Sequence, residues 1–346
     1  MKKNEMIMIK SSPYRFLTLV IYSAFLLSYI LITDASSSFY WGMALDGYPI
    51  TKERLDQIES ETRLCPQIVV FYLQWPSFSS PQNDFQFSME TLNALSQRGI
   101  IPCITWEPMY YEQGKEIMIQ YEQILNGHYD RYIRFFADQA KSFGKPFMIR
   151  FAHEMNIERY HWGTSKDHYG KISPDIYKQM FQYVVTCFKH AGTDQVLWAF
   201  CPNSESLPNA AYNNTASWNR IDSYYPGDQF VDILGIDGYN WGTTQTLEKH
   251  GWQSNWRSFK EVFSSAYEEL KKIAPHKPMF IFETASAEQG GSKSDWITEA
   301  FSVHKDWDIQ GVIWFQVNKE IDWRINSTGN TSYVPVIRSN TSALGY

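Results

Sequence analysis

Eight times between residues 39 and 315 the chain falls into a short, almost unbroken apolar run: 39–45, 67–73, 100–106, 146–151, 195–200, 230–236, 279–283 and 311–315. Strands covered on both faces need apolar residues in succession rather than in alternation. Amphipathic stretches part many of the runs, which is the pattern of βα units around a parallel sheet. In one of them Tyr132, Phe135, Phe136 and Ala140 recur at helical spacing before Gly144, which predicts a helix over 129–143. In another, Ser173 reads as an N-cap with Pro174 at the first helical position, and Gly192 supplies the stop. Residues 51–64, 88–98, 256–273 and 295–304 complete the predicted helices. Residues 203–228 are rich in Pro, Asn and Ser and lack a helical period, which predicts a deviant crossover or a functional loop. Each of the eight runs closes on, or is followed at once by, a polar or aromatic residue. The expectation is an α/β fold closed as a (β/α)8 TIM barrel, not an open doubly wound sheet, with chemistry at the C-terminal strand ends.

Length and composition fit that fold. With 346 residues, 44% of them hydrophobic, the chain can fill one large core. A formal charge of −6 without basic clusters excludes the electrostatic footprint of a nucleic-acid binder and favours a neutral substrate. Thirteen Trp and 22 Tyr offer flat faces suited to sugars, although large barrels also bury aromatics. Lys2, Lys3, Lys10 and Arg15 precede an uncharged apolar stretch, 16–32, and then Thr33-Asp34-Ala35. This order predicts a signal peptide or membrane anchor over 1–35 and a secreted or extracytoplasmic catalytic domain over 36–346. Cys65, Cys103, Cys187 and Cys201 have no metal-ligand spacing, and the eight histidines form no cluster, so no metal is expected. No Gly-rich phosphate loop follows any strand, so no nucleotide cofactor is expected either. The expected partner is a polysaccharide, met by a monomer.

Two strand ends deliver glutamates to the catalytic rim. The fourth closes on Arg150-Phe151-Ala152-His153-Glu154-Met155-Asn156 and the seventh on Phe280-Ile281-Phe282-Glu283-Thr284. A carboxylate at the end of an apolar strand is costly to bury unless paired. One account is an ion pair with Arg150 or a neighbour. The other is glycosidic bond cleavage, which needs one protonated carboxyl for the leaving oxygen and one carboxylate for the anomeric carbon or for water. His153-Glu154 opens like a zinc-protease HExxH motif, but Ile157 stands at the last position and ends that reading.

At these residues the chain resembles glycoside hydrolase family 26, best known for β-mannanases, over roughly residues 40–326. The likeness rests on Arg150 to Asn156 with Trp162-Gly163, and on Phe280 to Ala285 with Gly290-Gly291 and Lys293. Trp106-Glu107-Pro108, Tyr225 to Asp228, Val231-Asp232, Gly235 to Asn240, Trp314-Phe315 and Asp322-Trp323-Arg324 follow in register. The resemblance implies a retaining double displacement without cofactor, with Glu283 as nucleophile and Glu154 as acid/base. It also implies His153 near the sugar 2-hydroxyl, Tyr239 hydrogen-bonded to the nucleophile, and Trp314 as floor of the subsite before the scissile bond. Arg150 is expected to orient Glu283 or support the rim, with Trp106, Trp162 and Trp241 as further sugar platforms. Glu107, Asp46 and Asp237 are expected to serve structural hydrogen bonds. The chain departs from the family at Ile157-Glu158-Arg159-Tyr160-His161, where a rim aromatic is replaced or moved, and this puts the sugar in question. The expected activity is endo-cleavage of a β-1,4-linked mannan. The alternatives are a β-glucanase of lichenase type and a non-catalytic carbohydrate-binding barrel.

Overall fold

Side chains alternate in and out along each barrel strand, and this alternation decides which residues reach the mouth. A computed structural model describes residues 38–163, 169–211 and 213–341. The basic and apolar segment read as signal or anchor lies outside them. Among the described residues ten strands form: β1 Tyr40–Leu45, β2 Ile68–Gln74, β3 Ile101–Glu107, β4 Met109–Glu112, β5 Lys115–Met118, β6 Phe147–Phe151, β7 Val196–Phe200, β8 Ile233–Asn240, β9 Met279–Ser286 and β10 Gly311–Phe315. Eight of them close into a parallel barrel in the order β1-β10-β9-β8-β7-β6-β3-β2. The helices α1 Lys52–Thr62, α2 Met89–Ser96, α3 Asp130–Phe143, α4 Ser173–Ala191, α5 Phe259–Ile273 and α6 Lys293–Ser302 lie between strands as predicted, and α7 Tyr333–Asn340 follows the last.

Differences from expectation have local causes. The sixth and seventh apolar runs extend as strands beyond their apolar residues, to Asn240 and Ser286. Polar side chains continue the pairing there, since Thr284 Oγ1 donates to Gly238 O at 2.8 Å and Asn240 Nδ2 to Ser286 Oγ at 2.9 Å. Ser173 does not cap α4. It is the first helical residue, and its hydroxyl donates instead to Gly163 O at 2.9 Å. Among the described residues of 203–228 the helical segments are a 3-10 turn, Asn214–Ala216, and a four-residue helix, Ile221–Tyr224. The hairpin β4–β5 was not foreseen. It turns at Gln113-Gly114 with φ of 51° and 76°, the two positive values of a type I′ turn. None of the four cysteines is bridged, and Cys103 and Cys201 are buried thiols as expected.

Two predicted sugar platforms face the wrong way. Trp106 has no exposed surface and points outward, into the rings of Tyr132 and Phe136 on α3 and Phe188 on α4. Its Nε1 donates to Tyr132 Oη at 3.1 Å, which satisfies the only polar atom of the ring. Trp314 is equally buried, packs edge-on to Trp296 of α6 at 5.8 Å and donates to Trp323 O at 2.9 Å. Both are packing residues. Trp106→Ala is expected to lower stability by about 3–5 kcal/mol in denaturant melts while leaving polysaccharide affinity of the folded protein unchanged. Weakened affinity at unaltered stability would return this ring to the site.

Candidate active site

Glu283 points into the mouth from β9, 5% exposed, and every partner it has is a donor. Tyr72 of β2 donates to Oε1 at 2.6 Å, Tyr239 of β8 donates to Oε2 at 2.6 Å, and Arg150 of β6 donates through Nη2 to Oε1. Three donors converge on one carboxyl, whose two oxygens accept from all of them. Arg150 spends its remaining nitrogens on fixed partners: Nη1 meets Asp237 Oδ2 at 2.6 Å, and Nε and Nη2 reach Thr105 Oγ1 at 3.0 and 2.6 Å. Burial opposes the Arg150 charge, but Asp237 and then Glu283 outweigh that penalty and push its pKa up.

Glu154 stands on the loop after β6, with β7 and β8 between it and the strand of Glu283. Its backbone is left-handed, with φ of 52°, as is that of Ala152 at 48°. Such values are uncommon for residues with a Cβ and persist where surrounding contacts enforce them. Here Ala152 N donates to Trp106 O at 3.1 Å and Glu154 N to Cys201 O at 2.8 Å, tying the loop to β3 and to the end of β7. Asn203 Nδ2 donates to Glu154 Oε1 at 2.6 Å. Asn203 is itself placed by Asn156, whose Oδ1 accepts from Asn203 N at 2.8 Å and whose Nδ2 donates to Asn203 O at 2.9 Å. Burial, and next the charge of Glu283, push the Glu154 carboxyl up to about 7. Two strand-end glutamates therefore carry opposite environments in one mouth, the arrangement that divides acid from nucleophile.

The sequence pattern of glycosyl hydrolase family 26 matches residues 104–266. Endoglucanase H of Acetivibrio thermocellus is 36% identical over 263 residues, 75% of this chain and 26% of that protein. The chain belongs to glycosyl hydrolase family 26. A mannan endo-1,4-beta-mannosidase of Bacillus subtilis is 31% identical over 107 residues, 29% of this chain and 25% of that protein. The chain thus spans about a quarter of the length of these curated relatives. A solved Bacillus subtilis mannanase superposes with a TM-score of 0.62 at 18% identity, over 88% of this chain and 86% of that one. A β-mannanase from a symbiotic protist of the termite Reticulitermes speratus does so with 0.57 at 18%, over 91% and 90%. At such identity the likeness is one of fold.

In this family 26 hydrolase the remaining predicted residues fall into place unequally. His153 is buried beside Glu154, and burial, then the Arg150 charge, hold its pKa well below the usual range, so the ring is neutral. Its Nε2 meets Tyr160 Oη at 3.1 Å, while Nδ1 has no partner among the described residues. Trp162 is 5% exposed, stacked on Tyr160 and hydrogen-bonded to His153 O at 2.7 Å, so it backs the loop and offers no open face. Gly163 lets that loop close on itself, because an added Cβ would stand 2.8 Å from both Met155 O and Ile157 O. Phe315, the neighbour of Trp314, turns inward and packs edge-on to Tyr239 at 5.7 Å, and Trp323 lies 5.1 Å from the same ring. These two replace Trp314 as the aromatics beside the nucleophile. Tyr72 and Asn203 escaped sequence reading, although a Tyr in the second apolar run and an Asn just after the fifth are visible signals. Asp237 is structural, as expected, and so is Asp46, which pairs with Arg54 at 3.0 Å. Donor atoms of His153, Asp237 and Glu283 lie within 4.8 Å of one another, and the Arg150 guanidinium already binds both of those carboxylates. Glu107 accepts from Gln74, and burial pushes it up to about 7. Carboxyl-carbon NMR is therefore expected to show two glutamates titrating near pH 7. Glu107→Gln and Glu154→Gln should each remove one of them, and Glu283→Gln should lower the Glu154 value more than that of Glu107. A Glu154 signal titrating below pH 5 in the wild type would contradict the site as described.

Proposed function

We propose that this family 26 hydrolase cuts internal linkages of a β-glucan by a retaining double displacement. The observation that carries the reading is the contrast between Glu283, held by three donors, and Glu154, kept protonated by burial and by the Glu283 charge. In the first step a Glu283 oxygen bonds to the anomeric carbon while Glu154 passes its proton to the departing glycosidic oxygen. Oε1 already accepts from Arg150 and Tyr72, whereas Oε2 accepts only from Tyr239, so Oε2 has the freer lone pair and attacks. The ester that results carries no charge. Glu154 then loses the second-largest cause of its raised pKa, falls toward the carboxylate and takes a proton from water. Water adds to the anomeric carbon, the ester bond breaks, and both glutamates regain their starting states. The neutral His153 ring, with Nδ1 unpartnered, is positioned to meet a sugar hydroxyl next to the acid.

The sugar assignment leans on the endoglucanase relative, matched over 75% of this chain, against 29% for the mannan-cleaving relative. A β-1,4-mannan is the second reading, favoured by that mannosidase. A barrel that only binds polysaccharide leaves the opposed environments of the two glutamates without a use. The basic and apolar segment over 1–35 supports export to where a polysaccharide is met.

Incubation with mannan, glucomannan, lichenan and xylan tests the substrate. Reducing ends are expected from lichenan first, and release from mannan alone would reverse the assignment. Proton NMR of the earliest product is expected to show the β anomer, while the α anomer would rule out double displacement. Glu154→Ala should lower turnover of unactivated glycan by about 10²- to 10⁴-fold. Because Glu154 must be protonated for the first step, wild-type activity should fall as pH rises through about 7. A rate that is flat or rising across pH 6 to 8 would contradict the assignment of the acid.

A further inference from the structure

The loop that bears Glu154 continues through Ile157-Glu158-Arg159-Tyr160-His161, the stretch that departs from the family pattern. Arg159 crosses from it to the hairpin and forms a two-pronged pair with Glu116, Nη1 to Oε2 at 2.9 Å and Nη2 to Oε1 at 2.7 Å. Tyr111 of the same hairpin donates to Glu116 Oε1 at 3.3 Å, and His161 Nε2 lies 3.8 Å from Oε2. Isolated exposed ion pairs contribute little. The exceptions are forked Arg–carboxylate geometry and membership of a network, and both are present here. The hairpin is anchored in turn, since Trp75 N donates to Glu107 O at 3.0 Å and to Met109 O at 2.9 Å at its base.

From Arg159 the contacts run inward. Its guanidinium covers the Tyr160 ring at 4.8 Å, Tyr160 stacks on Trp162 at 4.6 Å and 11°, and the Tyr160 hydroxyl meets His153 Nε2. His153 immediately precedes Glu154, whose left-handed backbone depends on its surroundings. Cys201, Asn203 and Asn219 hold the start of this loop, and the pair with Glu116 ties its far side, so that without it the carboxyl is freer to shift away from the glycosidic oxygen.

We propose that the Arg159–Glu116 pair is a brace between the hairpin and the acid/base loop, making Arg159 a positioning residue for proton transfer by Glu154. The proposal rests on the assignment of Glu154 as acid/base. Misplacement of a proton donor matters most when the leaving group needs the proton, and least when it departs unaided as an anion.

Two substrates of one sugar separate these cases: the oligosaccharide the wild type cleaves best, and its 2,4-dinitrophenyl glycoside, whose phenolate leaves without a proton. With the full chain, Arg159→Ala and Glu116→Gln are each expected to lower kcat/KM for the oligosaccharide, which reads the step up to and including departure of the leaving group, by about 10- to 100-fold. The loss on the aryl glycoside should be several times smaller, and Arg159→Lys, which keeps the charge but not the fork, should recover part of the rate. Glu116→Gln is isosteric, and thermal melts of both variants check the fold. Equal losses on the two substrates, or no loss on either, would overturn the brace. Glu154→Ala is the reference. If it fails to discriminate between the substrates, the acid/base assignment falls, and if it discriminates while Arg159→Ala does not, only the brace falls.

Discussion

A guanidinium with no exposed surface sits at the centre of this barrel, and the arrangement of the mouth follows from keeping it charged there. An isolated cation at such depth would be prohibitively costly, so Arg150 requires carboxylates aimed at it from several strands at once. Asp237 and Glu283 answer from β8 and β9 and Thr105 from β3, while the rings of Tyr72 and Phe282 lie 5.9 and 6.0 Å from it. Burial, and next the charge of Glu283, push the Glu154 carboxyl across the mouth up to about 7. The ion pair first weighed as an alternative to catalysis is compatible with it, because the same contact holds Glu283, whose charge helps raise the Glu154 carboxyl.

Strand positions were legible because burial on both faces demands apolar runs, and nothing else in the chain resembles eight of them in order. The two glutamates were legible because a carboxylate has few reasons to end such a run. Facing was harder. The register shift between β9 and β10 has its extra residue on β9, since Val312 pairs with Ile281 and Trp314 with Thr284, so β10 keeps its alternation and Trp314 faces the helices. Its neighbour Phe315 then takes the inward position beside Tyr239. Trp106 misled for a plainer reason: within β3 the inward positions are Thr105 and Glu107, so the residue between them must point to the helices.

Tyr72 and Asn203 were not legible as site residues because their role depends on pairings between distant strands. Asn203 also shows what the Pro-, Asn- and Ser-rich stretch after β7 does instead of forming a barrel helix. Its asparagines hold one another and the acid/base loop: Asn219 Nδ2 donates to Asn156 O at 3.0 Å, and Asn156 aligns Asn203. Short amides that satisfy backbone groups locally compete with helix formation, and here that competition builds a rigid non-helical wall.

The bond from Tyr72 to Glu283 joins residues 211 positions apart in the chain, and the bond from Arg150 to Glu283 joins residues 133 apart. Neither half of the polypeptide therefore assembles the contacts of Glu283 by itself, however well its own βα units form. Contacts this remote arise late, after the loop-closure entropy of most of the barrel has been met. The contacts around Glu283 thus come together only with ring closure itself, when the last strands join the first.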